Sequence, residues 1–423
     1  MTNPLRHLAA GAPAPTYLLR GALDADADAV RLDPRLRVVD SPRHATVLLV
    51  AGRLPDPLLT PAALTHDALP HPRASVWWGD GDPPARWLRE AVRVPADGDP
   101  AAAVCDAHAQ AVLGRRPSEP AVGTVVDRAA WDGVGPYGHG GSGMTGGTPY
   151  GRSLPDRDDD PRDGLTLDVL RVTVGPFFSA LPPGLSIDVR LYGDLVGACE
   201  LHEDPFATSG LSFVAPHAEP FERARTERVA VANLEQARIS HHLRALARTL
   251  RLHGLHALSD RALRVAVAPT SSRSVERLLR LVAASGAPRA GAGTAVLTAE
   301  AAGLGLGVVA RASGVADDAR EHDPAYAPLG FEPVTQRRGD VRARTQQRVA
   351  EIRQSLRLCQ AAGDAVREPG PPVEDPRLPV DALREPVAET LAGLEWGDAV
   401  LALDSFDFAV GTPRAARAPA GVP

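Results

Sequence analysis

The sequence predicts an α/β domain followed by an α+β domain, from three features of its patterning. Short apolar runs alternate with helix-like segments up to about Gly114. A glycine- and aspartate-rich stretch then occupies 115–164. Beyond Leu165, period-two alternation gives way to long segments of helical period.

In the first zone, Val38-Val39 and Ala45 to Gly52 are apolar enough for buried parallel strands, the second ending at a glycine. Leu58 to Ala68 predicts a helix, Ala74 to Trp78 a strand, and Ala101 to Leu113 a closing helix. That rhythm predicts a doubly wound parallel sheet, where ligands sit beyond the carboxyl ends of strands, here around Gly52 to Pro57 and Gly79 to Pro84. Nine glycines between Gly133 and Gly151, and the acid–arginine run Asp156 to Asp163, predict a linker with no core. In the third zone, Leu165, Leu167 and Val169, then Leu185, Ile187, Val189 and Leu191, alternate as in a small antiparallel sheet. Val229 to His253 and Val341 to Ala362 place Ile239, Leu243, Leu246 and Leu250, and Val349, Ile352 and Leu356, at helical spacing for a bundle. Leu391 to Val410 predicts a final strand pair or short hairpin.

Composition narrows the chemistry. A net charge of −6, with Arg as the only strongly basic residue, excludes a nucleic-acid footprint. Three scattered cysteines, Cys105, Cys199 and Cys359, supply neither a four-thiolate cluster nor a disulfide framework, which predicts a reducing compartment. No apolar run reaches the about 18 residues of a membrane span, and Pro4, Arg6, His7, Pro13 and Pro15 interrupt any signal-peptide core.

Local motifs give little. Gly138 to Gly143 could cradle an anion, but lacks the Lys and Ser/Thr of a phosphate loop, and His139 is its one side chain with catalytic capacity. Asp156, Asp158 and Asp160 open like a calcium loop, yet Pro161 and Leu167 stand where Gly and Glu are needed, so a solvated charge run accounts for them. His241 and His242 point to different faces of a helix, and Gly254 separates His253 from His256, so no metal site is expected. Arg348 and Glu351 can pair at i,i+3 on a helix, or join a buried Arg–Glu network at a helix interface.

Longer strings carry a resemblance. Glu235-Gln-Ala-Arg238-Ile239-Ser-His-His242-Leu243 resembles the E-x-x-R-I-x-N-H-L helix of the 49 kDa (D) subunit of NADH:quinone oxidoreductase, complex I, a family that includes the large subunits of energy-converting nickel–iron hydrogenases. Gly339-Asp340 through Arg344, Arg348, Glu351 and Arg353 to Ser355 is similar to its G-D-x-x-x-R-x-x-x-R-x-x-E-M-R-Q-S helix. Arg311-Ala-Ser-Gly314-Val315, with Asp318 and Arg320, is similar to its L-R-x-S-G-V-x-x-D-x-R segment. Ser41-Pro42-Arg43 with Val50-Ala51-Gly52 resembles the S-P-R strand of the neighbouring 20 kDa (B) subunit. The resemblance implies two fused subunits: a 20 kDa-like α/β domain at 1–114, a linker at 115–164, and a 49 kDa-like domain at 165–423.

The departures matter as much. Where the 20 kDa family has cluster-binding cysteines, this chain has Gly79, Asp80 and Gly81, and Pro95, Ala96, Asp97 and Gly98, and no cysteine precedes Ser41. Where the 49 kDa family has its quinone-site histidines after Gly-Pro, the chain reads Gly175-Pro176-Phe177-Phe178-Ser179-Ala180. Glu235, Arg238, His242, Arg311, Gly314, Asp340, Arg344, Arg348, Glu351 and Arg353 remain as the family scaffold motif. The resemblance therefore implies a structural or coupling subunit of a complex I-like or membrane-hydrogenase-like assembly, with no cofactor of its own, peripheral to the cytoplasmic face of a membrane. Its partners would be the other subunits, a membrane arm included, with quinone a possible ligand of the assembly. The alternatives are a quinone site rebuilt around His139, and a small-molecule sensor using the vacated cluster cavity.

Overall fold

The first 123 residues fold around a run, Val47–Ala51, in which every side chain is buried. The computed structural model describes residues 4–23, 25–123, 156–160, 162–211, 215–268, 271–302, 307–376, 378–380 and 384–410. Helix α1 (Pro4–Ala10) precedes a parallel sheet of β1 (Ala14–Arg20), β2 (Leu36–Val38), β3 (Val47–Ala51), β4 (Ala74–Trp78) and β5 (Val92–Val94), ordered β2-β1-β3-β4-β5. Helices α2 (Leu59–Asp67) and α3 (Pro100–Val112) complete it. Side chains alternate across β3: Val47, Leu49 and Ala51 meet Val104 and Ala107 of α3, while Leu48 and Val50 meet Leu58 and Ala62 at α2. Two covered faces explain the continuous apolar run. Helix α3 starts where the Asp99 carboxylate accepts hydrogen bonds from the Ala101 and Ala102 amides, at 3.0 and 3.1 Å, with Pro100 in the first turn.

Strand β1, between β2 and β3, has no counterpart in the sequence reading, because Pro13 and Pro15 mark it as broken. Pro15 lies at the strand's start, and its carbonyl still accepts from the Thr46 amide at 2.9 Å.

The stretch 115–164 is not all linker. Glu119 accepts from the Ser75 amide and hydroxyl at 2.9 and 2.7 Å, anchoring the chain to β4. The acidic run enters β6 (Asp156–Asp159), the edge strand of an antiparallel sheet with β7 (Thr166–Val174), β8 (Ile187–Tyr192) and β9 (Leu195–Leu201). An exposed edge accepts charged residues without a desolvation cost. Here Asp158 accepts from Tyr192 at 2.9 Å and Arg190 at 2.8 Å. Gly138 to Gly143, His139 included, lies outside the described residues.

Two short helices, α4 (Pro205–Ser209) and α5 (Glu219–Arg223), and strand β10 (Val229–Ala230) lead into α6 (Val231–Leu252), α7 (His256–Val267) and α8 (Ser272–Ser285). After α9 (Ala299–Ala302) and α10 (Val308–Ala312) comes α11 (Val341–Ala362), then β11 (Val366–Arg367), which pairs with β10. Strand β12 (Leu378–Pro379), α12 (Arg384–Leu391), α13 (Trp396–Phe406) and β13 (Phe408–Ala409) follow. The expected strand pair at Leu391 to Val410 is therefore mostly helix. Ala399, Ala402, Leu403 and Phe406 are buried at helical spacing, a period the apolar density of that stretch masks.

The two halves are joined by apolar and ionic contacts. Phe206 of α4 is fully buried in the core of the parallel-sheet domain, and the Tyr17 hydroxyl donates to the Phe177 carbonyl at 2.7 Å. Arg244 of α6 pairs with Asp26 and Asp28 at 2.5 and 2.6 Å, and Arg251 with Asp40 at 2.8 Å.

Candidate functional site

Helices α6 and α11 each run 22 residues and bury polar side chains on their shared face, which is unusual for a two-helix contact. The capping residue of α11 is Asp340, whose carboxylate accepts from the Ala343 amide at 2.7 Å and the Gly293 amide at 2.8 Å. One and three turns on, Arg344 and Glu351 are fully buried.

Glu351 forms the centre of the first cluster. Arg311 of α10 donates to it at 2.8 Å, His242 Nε2 of α6 at 3.0 Å, and Gln347 at 2.8 Å. Arg311 also reaches Glu374 at 2.8 Å and Asp318 at 3.2 Å. Glu235 is bound by Arg320 at 3.1 Å, the Tyr326 hydroxyl at 2.8 Å and the Ser355 hydroxyl at 2.5 Å, with Arg238 3.7 Å away. Asp318 links the two halves, meeting Arg320 at 2.7 Å.

Electrostatics follow from this packing. Burial disfavours the Glu351 charge, but Arg311 and His242 outweigh it and hold the carboxyl well below its usual range. Burial lowers His242 to about 4, so it stands neutral with Nε2–H donating to Glu351. Burial, with Asp318 nearby, pushes Glu374 up despite Arg311. Four carboxyl groups thus face three guanidiniums, and Glu374 is the one whose ionisation this packing disfavours.

A second cluster lies across the bundle. His241 meets Asp407 at 2.6 Å, and Arg248 pairs with Asp407 and with Asp404 at 3.1 Å. Arg348 donates to the Ser405 carbonyl at 2.6 Å. Arg344 donates to Ser405 Oγ at 2.8 Å and to the Gly339 carbonyl at 2.6 Å, and its guanidinium lies 4.3 Å from the Phe406 ring centre. Burial, with Arg348 beside it, lowers Arg344 to about 9.

The sequence-derived scaffold residues therefore divide. Glu235, Arg238, His242, Arg311 and Glu351 meet in one cluster; Arg344 and Arg348 meet in the other; Asp340 caps their helix. Gly314 adopts a φ of +97°, which explains glycine there. Arg353 faces solvent and belongs to neither cluster. The helix-surface pair between Arg348 and Glu351 does not form, because each finds a partner on another element. His241 and His242 turn to different carboxylates, as their adjacent positions require. Tyr326, Glu374, Asp404 and Asp407 were not legible as members. A signal existed for the last two, since carboxylates inside the apolar run Ala399 to Val410 are expected to be paired.

The loops at the carboxyl ends of the parallel strands are tied to one another. Ala22 and Arg53 exchange backbone hydrogen bonds at 2.7 and 2.9 Å, the Gly52 amide donates to Trp78 at 2.7 Å, and the Gly79 amide to Val94 at 2.8 Å. Asp80 accepts from the Ala96 amide at 3.0 Å, and Trp78 Nε1 donates to the Ala96 carbonyl at 3.1 Å. Asp56, Asp80, Asp82 and Asp97 are the acids here, and the thiols lie elsewhere: Cys105 on α3, Cys199 on β9, Cys359 on α11. Such a donor set does not fit an iron–sulfur cluster. The segment after Gly175-Pro176 is apolar in its packing. Phe177 packs against the parallel-sheet core, Phe178 stacks on Trp396 with centroids 6.5 Å apart, and Ala180 and Leu181 are buried. Among the described residues, no helix is long and apolar enough to cross a membrane, and no group of three or more His, Cys, Asp or Glu side chains could hold a metal.

Comparison with known proteins finds a family match in the second half of the chain. Residues 286–396 match the family described as Respiratory-chain NADH dehydrogenase, 49 Kd subunit. The chain is 36% identical over 108 residues to the second D-type subunit of the NADH-quinone oxidoreductase of Chloroflexus aurantiacus, a match covering 24% of this chain and 26% of that protein. It thus spans about a quarter of that relative's length. A chain from the structure of the membrane-bound sulfane sulfur reductase, an archaeal respiratory membrane complex, aligns over 57% of this chain and 97% of its own, at 16% identity and a TM-score of 0.40. The 286–396 match takes in α10 and α11, with Arg311, Arg344, Arg348 and Glu351, so that part of the chain is similar to the complex I 49 kDa subunit family.

Proposed function

We propose that the chain is a peripheral subunit of a complex I-like or membrane-hydrogenase-like assembly, with a structural or coupling role and no cluster, nickel or other redox centre of its own. On this reading it sits at the cytoplasmic face and joins redox partners to a membrane arm. The observation carrying the proposal is the way the family's charged motif is used. Glu351 is held by Arg311 and His242, Glu235 by Arg320, Tyr326 and Ser355, and the cavity beside them, lined by Arg238, Arg320 and Glu374, measures about 10 Å³. That volume admits a single water and no substrate. The tied loops around Asp80 and the apolar Phe177-Phe178 segment support the same reading.

The test is purification of the tagged full chain from membranes of its source organism. The proposal expects membrane-arm subunits in stoichiometric amounts and no iron attributable to this chain. Recovery of the chain alone as a monomer overturns the assembly role. Stoichiometric iron with the visible absorbance of a cluster in the isolated chain overturns the claim that it holds no redox centre.

A further inference from the structure

Helix α8 packs alongside α11 in the opposite direction. Its first residue, Ser272, accepts from Gln360 near the end of α11 at 3.3 Å, and the Gly291 carbonyl beyond its end accepts from the Arg342 amide at the start of α11 at 3.3 Å. Val275, Leu278, Leu279 and Val282 face inward against Ile352 and Leu356. The outward stripes are dominated by positive charge: Arg273, Arg277 and Arg280 on α8, with Glu276 among them, and Arg353 and Arg357 on α11, all exposed. At the start of α11, Arg337, Arg338 and Arg342 line an open pocket of about 370 Å³. Among the described residues, none of these eight guanidiniums pairs with a carboxylate. The two helices hold two acids, Glu276 on the surface and the buried Glu351. In a chain of net charge −6, this is a concentration of positive charge that the folded protein leaves unneutralised.

We infer that the α8–α11 face is a docking surface for an acidic protein segment. Guanidiniums one helical turn apart match carboxylates at similar spacing, each able to form a bidentate pair. The face exposes no aromatic residue. A membrane surface would ask for aromatic or larger apolar anchors beside the charge, where this face offers only the partly exposed Leu281, and single-stranded nucleic acid would ask for stacking rings. The surface points away from the buried clusters, so the inference stands independently of the assembly proposed above.

The experiment uses the full chain and a fluorescent poly-glutamate peptide of about 20 residues, enough to follow both helices. Fluorescence anisotropy is measured at low and physiological salt. The triple variant Arg277→Gln, Arg280→Gln, Arg353→Gln is compared with Arg43→Gln, Arg89→Gln, Arg93→Gln, which removes equal charge from exposed sites on the other domain. We expect salt-sensitive binding that weakens about tenfold or more in the first variant and less than about twofold in the second. No binding at low salt, or equal weakening in both variants, overturns the inference. Phosphatidylglycerol vesicles and a short DNA duplex are run as parallel probes. Tighter binding to either than to poly-glutamate, lost in the first variant, overturns the choice of a protein partner.

Discussion

Replacing His242 with Gln isolates the pH dependence built into the α6–α11 contact. His242 is fully buried and donates to Glu351 at 3.0 Å. Burial lowers its folded value from 6.5 to about 4. The unfolded chain therefore binds more protons than the folded one between those pH values, and stability falls as pH drops from 6.5 toward 4. The slope is about 1.4 kcal/mol per pH unit, and the whole window is worth about 3 kcal/mol. The contribution is fully present above pH 6.5. Glutamine can keep an N–H on Glu351 but cannot take up a proton, so His242→Gln loses that part of the slope while Arg311 keeps Glu351 ionised. The assay is urea unfolding of both proteins at pH 7, 6 and 5, followed by circular dichroism. The difference in stability between them should shift by about 2 kcal/mol in favour of the variant from pH 7 to pH 5. Parallel pH profiles for the two proteins would refute the reasoning, because they would mean that His242 titrates alike in both states.

Three further substitutions probe the framework. Arg311→Met removes the guanidinium shared by Glu351, Glu374 and Asp318, and leaving those acids buried should cost about 3–5 kcal/mol at pH 7, read from the urea midpoint. Phe206→Ala empties a site between the two halves of the chain; a loss of about 3–5 kcal/mol is expected, and a loss below about 1 kcal/mol would show that Phe206 does not anchor them. Gly52→Ala places a methyl 2.2 Å from the Ala22 carbonyl oxygen at a φ of +86°, so thermal unfolding should move down by several degrees, the equivalent of at least about 2 kcal/mol.

Legibility in the sequence tracked how local the signal was. The strands at Ala74–Trp78 and Val47–Ala51 and the helix Val341–Ala362 were readable because hydrophobic period and length agree within one segment. Strand β1 was missed because proline is a local veto that the strand's start tolerates, and α13 because its apolar density hid the period. The site behaved likewise. The motif residues of α6 and α11 could be named from the family resemblance, and a buried Arg–Glu network could be foreseen. The pairing within it could not. Arg348 and Glu351 are three residues apart, yet Glu351 is claimed by Arg311, forty residues earlier, and Arg348 by Ser405, in α13. A neighbour on the same helix competes poorly when a distant element brings a better-aligned acceptor into a dry interior.

That competition also makes the motif residues work as a set. Desolvating a single guanidinium such as Arg311 is unfavourable, and its three carboxylates compensate only because α11, the turn at Asp318 and the segment around Glu374 hold them within 3.2 Å of it. Moving any one element would strand a charge on two others. The network therefore acts less as a store of stability than as a register lock on the bundle: misaligned packings of the same apolar stripes are penalised by unpaired ions. A lock of this kind keeps the outer faces of the bundle in fixed relation to one another. Among them is the arginine stripe shared by α8 and α11, which can present its spacing to a partner only while α11 is held in register from within.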